Sequence, residues 1–256
     1  MSAKRLWPSI IITLAILALL VAIALLYQKN HRQLDHPGQK PQHHRKILWG
    51  VDTASKVTDS LYQCITDHYG KPLIWGRYME SKENISKGLT KKEASFIHKK
   101  GGHILLIYNH FTDATGYNNG VSEGKMAISF ANDLGVPKGT ALFADIEPTY
   151  PVDADFIRGW VKTLSPSSYM AGIYGDFSKN SGLRKAYHSA ANKLNSQPIL
   201  WSDQPRPGIT GKQKAPDFHP AAPKSSKNLV WQYGIGAKKC NIDTDLARSN
   251  IQSYLW

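Results

Sequence analysis

The stretch Thr140–Pro148, TALFADIEP, decides the reading of this chain. An apolar run ends in Ala144-Asp145-Ile146-Glu147-Pro148, the pattern of a buried strand that leaves two carboxylates at its carboxyl end. Asp145 and Glu147 are two apart, so on an extended segment both point to the same face. Pro148 restricts Glu147 to extended backbone, which supports that geometry. Two carboxylates on one face, with a third such as Asp52 opposite, can separate their pKa values and supply an acid and a base. Glycoside hydrolysis needs such a pair.

Working outward, similar runs recur with helical patterns between the early ones. Strands are predicted at Ile47–Thr53, Leu73–Tyr78, His103–Asn109, Thr140–Ile146, Tyr169–Tyr174, Pro198–Trp201, Leu229–Tyr233 and Asn241–Leu246. Thr58 caps a helix that runs to Tyr69 and stops at Gly70. Thr90 with Glu93 reads as a capping box, closed by Gly101-Gly102. Ser122 opens a third helix ending near Leu134-Gly135, and Asp153–Leu164 is a fourth, stopped by Ser165-Pro166. Eight strands with crossover helices in about 210 residues predict a TIM-like β/α barrel, with helices sparse after the fifth strand. An open doubly wound sheet is the alternative, but Val51-Asp-Thr-Ala-Ser55 is not its glycine-rich turn.

Barrel enzymes carry their chemistry at the carboxyl ends of the strands. Asp52, Arg77, Tyr108, Asp145 with Glu147, Tyr174, Trp201 and Gln232 occupy those ends in strands one to seven, and Asp243 lies in the eighth. Trp75, Trp160 and Trp231 read as packing residues, and Tyr233-Gly-Ile-Gly236 as a turn. The sequence holds no H-E-x-x-H, C-x-x-C or G-x-S-x-G, so zinc and serine hydrolase chemistry lack support, and no cofactor is implied.

Composition narrows the setting. The chain has 256 residues, 41% of them hydrophobic, with a net charge of +13. That is enough apolar material for a sizeable core. Residues 6–27 form an apolar run about the length that spans a bilayer, after a short start at 1–5. It reads as a single transmembrane anchor, with a cleaved signal as the alternative because Ala22-Ile-Ala24 has the small-x-small form. Either places the remainder on the extracytoplasmic side. Residues 28–46 carry Pro37, Gly38 and Pro41 and read as a flexible basic linker to a barrel domain at 47–256. Seven Lys/Arg against one Asp in residues 1–46 give +6, leaving +7 for the barrel. An anionic envelope explains that balance, and no nucleic-acid motif argues for another polyanion. Cys64 and Cys240 fall in the first and last barrel units, which are neighbours in a closed barrel. They form either a disulfide across the seam or two buried thiols.

These residues carry a resemblance. Gly50-Val-Asp52-Thr, Gly76-Arg77-Tyr78, Gly88-Leu-Thr90-Lys-Lys-Glu93-Ala, Ala144-Asp145-Ile-Glu147, Gly172-Ile-Tyr174-Gly175, Leu200-Trp201, Trp231-Gln232-Tyr233 and Ile242-Asp243 occur in order over nearly all of residues 47–256. They resemble the glycoside-hydrolase-like domain family of uncharacterised function, related to glycoside hydrolase family 25, the muramidase-type lysozymes. The resemblance implies Glu147 as general acid, Asp145 as the carboxylate that stabilises the cation, and Asp52 and Asp243 as acids of the same pocket. It implies Tyr174, Trp201 and Gln232 as residues that shape sugar subsites; Arg77 is a departure, because inside such a pocket it would pair with a carboxylate, lower its pKa and leave it a poor acid. It further implies peptidoglycan as partner, cleaved at its β-1,4 bonds by a monomeric barrel, or bound without cleavage.

Overall fold

The structure is a computed structural model that describes residues 46–256, together with Val21, Ile23, Leu25 and Leu26. Those four are helical and exposed. The rest of the predicted anchor at 6–27 and nearly all of the linker lie outside the described residues. Among the described residues, no helix is long and apolar enough to cross a membrane.

Residues 46–256 form one compact unit built on eight strands: β1 Ile47–Thr53, β2 Ile74–Tyr78, β3 His103–Tyr108, β4 Ala141–Ile146, β5 Met170–Gly175, β6 Ile199–Ser202, β7 Lys227–Gly234 and β8 Asp243–Arg248. They close into a barrel in sequence order. Neighbours from β1 to β7 are parallel, whereas β8 is antiparallel to both β7 and β1. The reason is the connection: residues 235–242 join β7 to β8 with no helix, and a parallel return would need a longer crossover. The start of β8 therefore sits beside the end of β1, with Asp243 opposite Asp52.

Five α-helices pack around the barrel: α1 Asp59–His68, α2 Lys91–Lys99, α3 Tyr117–Leu134, α4 Ala154–Leu164 and α5 Gly182–Ala191. After α5 the connections hold only short 3₁₀ turns. Thr58 and Asp153 cap their helices by accepting the Leu61 and Phe156 amides. Two expectations change. Thr90 accepts the Glu93 amide, but the Glu93 carboxylate does not complete a capping box. It turns inward to Arg77 and the Val57 amide, because a buried cation outcompetes an exposed helix end. Helix α3 begins at Tyr117 rather than Ser122, because the Asp153 carboxylate accepts the Gly116 amide from across the loop. Such a cap leaves no local signature.

Alternation along the strands makes two apolar layers. Leu48, Ile74, Leu105, Phe143, Ile199 and Val230 belong to the barrel interior. Trp75, Leu106, Leu142 and Trp160 lie in the layer between sheet and helices. The helix layer is tightest where α3 crosses α4. A Cβ at Gly120 would lie 2.2 Å from the Phe156 carbonyl oxygen, and one at Gly159 would lie 2.2 Å from that of Tyr117. Gly159→Ala is therefore expected to lower stability by about 2–3 kcal/mol through overpacking, read as a fall in thermal midpoint. An unchanged midpoint would show that the helices can separate at little cost.

Cys64 of α1 and Cys240 of the β7–β8 connection are joined in a disulfide, with Cα atoms 5.8 Å apart. It closes the barrel seam across 176 residues of sequence. In the chain-entropy account such a loop contributes on the order of 5 kcal/mol.

Candidate active site

At the carboxyl ends of β1–β7 the barrel opens into a cleft of about 410 Å³. Its acids come from three strands: Asp52 from β1, Asp145 and Glu147 from the end of β4, and Asp243 from the start of β8. Asp52 has room because its register partner on β2 is Gly76, where a Cβ would lie 2.4 Å from the Asp52 Cβ.

A fixed polar chain holds the β1–β8 side. The Tyr174 hydroxyl donates to Gln232 Oε1 (2.7 Å), which orients the amide so that Nε2 donates to Asp52 Oδ2 (2.8 Å) and Asp243 Oδ2 (3.3 Å). The Gly236 amide donates to the other Asp243 oxygen at 2.6 Å. Beneath the floor, Trp201 Nε1 donates to Asp245 Oδ1 at 3.1 Å. Asp245 is a buried acid that lies two residues beyond Asp243 on the same face of β8.

Asp145 and Glu147 differ in exposure. Asp145 is fully enclosed, and its Oδ1 has no hydrogen-bond partner among the described residues. Glu147 is half-buried at the cleft wall. Burial is the main cause that lifts both carboxyls above their ordinary range. For Asp145 the Glu147 and Asp52 charges add to it; for Glu147 the Asp203 charge adds and Arg206 opposes. A hydrogen bond between the two carboxyls raises Asp145 further and lowers Glu147, so burial and then the Asp203 charge are what keep Glu147 above its ordinary range. Such a pair keeps a shared proton well above the pH at which free carboxylates ionise.

Asp52 is likewise raised, from 3.8 to about 8, chiefly by burial and then by Asp243, with the Gln232 bond opposing. The consequence for stability has a definite sign. The folded state holds this proton over a range where the unfolded chain has released it, so stability falls as pH rises from 3.8 towards about 8. Asp52→Asn cannot ionise and escapes that loss. Thermal midpoints of variant and wild type are expected to lie close together near pH 4 and to separate by pH 8, with the variant higher. A constant difference across pH would remove Asp52 as the cause.

Two residues expected in this cleft lie elsewhere. Arg77 is fully buried on the helix side of β2, where its Nε donates to Glu93 Oε1 at 2.7 Å. Tyr108 also faces outward, and its hydroxyl donates to Glu123 of α3. In both strands the inward position is the neighbour: Tyr78 beside Arg77 and Ile107 beside Tyr108 line the cleft. Tyr150, Arg206 and Ile235 also line it, from connecting segments whose course the strand pattern did not fix. Asp52, Asp145, Glu147, Tyr174, Trp201, Gln232 and Asp243 come together there. Among the described residues, no group of three His, Cys, Asp or Glu is arranged to hold a metal ion.

Known proteins share this architecture. The family described as Rv2525c-like, glycoside hydrolase-like domain matches residues 72–247. Among solved structures, an uncharacterised protein of B. stearothermophilus is 43% identical over 82% of this chain and 100% of its own, with a TM-score of 0.79. The Tat-secreted protein Rv2525c of Mycobacterium tuberculosis, solved with L-tartrate, is 16% identical over 82% of this chain and 98% of its own, with a TM-score of 0.54. A family 25 glycosyl hydrolase from Bacillus anthracis is 13% identical over 86% of this chain and 97% of its own, with a TM-score of 0.50. The latter two likenesses concern the fold alone. No curated protein matches the chain. The match over residues 72–247, with the barrel that carries it, means that the chain belongs to the Rv2525c-like family of glycoside hydrolase-like domains.

Proposed function

We propose that this protein is a glycoside hydrolase that cuts β-1,4 bonds of peptidoglycan outside the cytoplasmic membrane, tethered there by residues 6–27. The observation that carries the reading is the Asp145–Glu147 pair: two protonatable carboxyls in contact within an acid-lined cleft, one enclosed and one reachable by substrate.

Glu147 donates its proton to the leaving glycosidic oxygen as the bond from the anomeric carbon breaks. Asp145 is beside Glu147 rather than across the bond from it. Direct attack by a second carboxylate needs the two about 5–5.5 Å apart on opposite sides of the sugar, and inversion needs a wider gap. Carboxyls in hydrogen-bond contact fit neither. They fit attack by the substrate's own acetamido oxygen on the anomeric carbon, with Asp145, behind Glu147, stabilising the positive charge of the ring that forms. Water then opens the resulting ring, and Glu147 takes back a proton. Asp52 and Asp243, held by Gln232, stand on the opposite wall as sugar-hydroxyl partners.

The deciding experiment is mass spectrometry of purified peptidoglycan incubated with the full chain, beside a Glu147→Gln control. New reducing-end fragments from the wild type alone identify the enzyme and the bond cut. Capture of intact wall with no product would instead make the barrel a glycan-binding module.

A further inference from the structure

Arg206 is the one Lys, Arg or His, among the described residues, that lines the acid cleft. It stands on the connection between β6 and β7 and is held from behind. Its Nε donates to the Asp203 carbonyl oxygen at 3.1 Å, and one terminal nitrogen donates to the Asp203 carboxylate. The Asp203 side chain is fully buried, whereas that of Arg206 is 37% exposed. These bonds fix the plane of the guanidinium. Its other terminal nitrogen has no acceptor among the described residues, although Glu147 and Asp243 line the same cleft.

A guanidinium fixed along one edge still presents planar N–H donors along another, the geometry that matches a carboxylate. Neutral sugar hydroxyls would not need such a group. An anion would, because the cleft is otherwise lined by four carboxyls and no other Lys, Arg or His among the described residues faces it.

We propose that Arg206 reads a carboxylate on the bound glycan, so that the cleft selects a sugar unit with a free acidic substituent over its neutral counterpart. This rests on the glycan-binding reading above and adds the substrate class to it. The free acid is either a lactyl ether or a uronic acid. Amide formation removes the charge, so within a lactyl-bearing wall glycan the preferred units are those that an amide-hydrolysing reaction has already freed of peptide.

The test is calorimetric binding to the full-length Glu147→Gln chain, which reports recognition without turnover. The probes are chitotetraose, a peptide-free peptidoglycan tetrasaccharide, the same tetrasaccharide with its carboxyls amide-linked to peptide, and a hyaluronan tetrasaccharide. A free-acid probe is expected to bind on the order of tenfold tighter than chitotetraose at low salt, with the margin shrinking as salt is raised. Preference for the peptide-free tetrasaccharide marks the lactyl source, and preference for hyaluronan marks the uronate source; either supports the proposal. Adding Arg206→Met should bring the ratio towards one, and Arg206→Lys, which keeps the charge but not the fork, should leave it intermediate. Because Met leaves Asp203 buried without its partner, the Lys variant and the salt series decide the matter if the Met variant does not fold. Equal binding of acid and neutral probes at low salt, no binding of either acid, or a ratio unmoved in both variants would overturn it. Absence of product from the wild type would sink the hydrolase reading yet leave this ratio measurable.

Discussion

Replacing Glu147 by glutamine is expected to lower kcat on peptidoglycan by about 10²–10⁴-fold, the usual contribution of a positioned general acid. Glutamine keeps the shape and the hydrogen-bonding reach of the side chain but has no proton of useful acidity. Glu147 is half-buried and its carboxyl is held above the ordinary range mainly by burial, so losing its ionisation should not harm the fold. The thermal midpoint should hold or rise slightly. The wild-type rate carries a matching signature. A general acid must be protonated in the free enzyme, so kcat/KM should fall as pH rises through the Glu147 value, and that fall should lie above the range of an ordinary glutamate. The variant should lose this limb along with most of its rate. Turnover within tenfold of wild type, or the same alkaline limb in the variant, would assign the proton to another group.

How much of this was legible in the sequence depends on what each feature rests on. The strands and two of the caps rest on local pattern: Thr58 and Thr90 cap where the spacing predicts, and Asp153, read as the first helical residue, is the cap of α4. The D-x-E signal was legible because strand parity fixes it regardless of the partners. Parity also explains the two misplaced residues. Arg77 and Tyr108 are near the ends of β2 and β3, but proximity to a strand end does not set the face. Gly76 opposite Asp52 and Ile107 beside Tyr108 show which positions point inward. Asp245 was readable by the same rule, since Asp243-Thr244-Asp245 repeats the spacing of Asp145 and Glu147. The reversal of β8 was readable from the short connection at 235–242. Asp203 and Arg206 were not, because an aperiodic loop gives no parity and only the folded backbone brings it over the cleft.

The displaced Arg77 leads to the largest expected effect on stability. Both Arg77 and Glu93 have side chains with no exposure. Arg77 satisfies Glu93 Oε1 and also donates to the carbonyl oxygens of Thr53 (2.5 Å) and Lys87 (2.7 Å), so one side chain ties β2 to α2, to the end of β1 and to the loop before α2. Arg77→Met fills much of the volume but leaves a buried carboxylate, whose Oε2 already lacks a partner, and two orphaned carbonyls. Breaking a buried pair from one side costs about 3–5 kcal/mol. For a domain of this size that is a fall of roughly 6–20 °C in thermal midpoint. Adding Glu93→Leu removes the stranded charge, so the double variant should recover a large part of the loss even though it carries one more substitution. The effect should also reach the cleft, because the Thr53 carbonyl held by Arg77 follows Asp52 directly in β1. A single variant within about 2 °C of wild type, or a double variant no better than the single, would mean that water or a moved side chain satisfies Glu93 and that the pair does not set the position of β2 against α2.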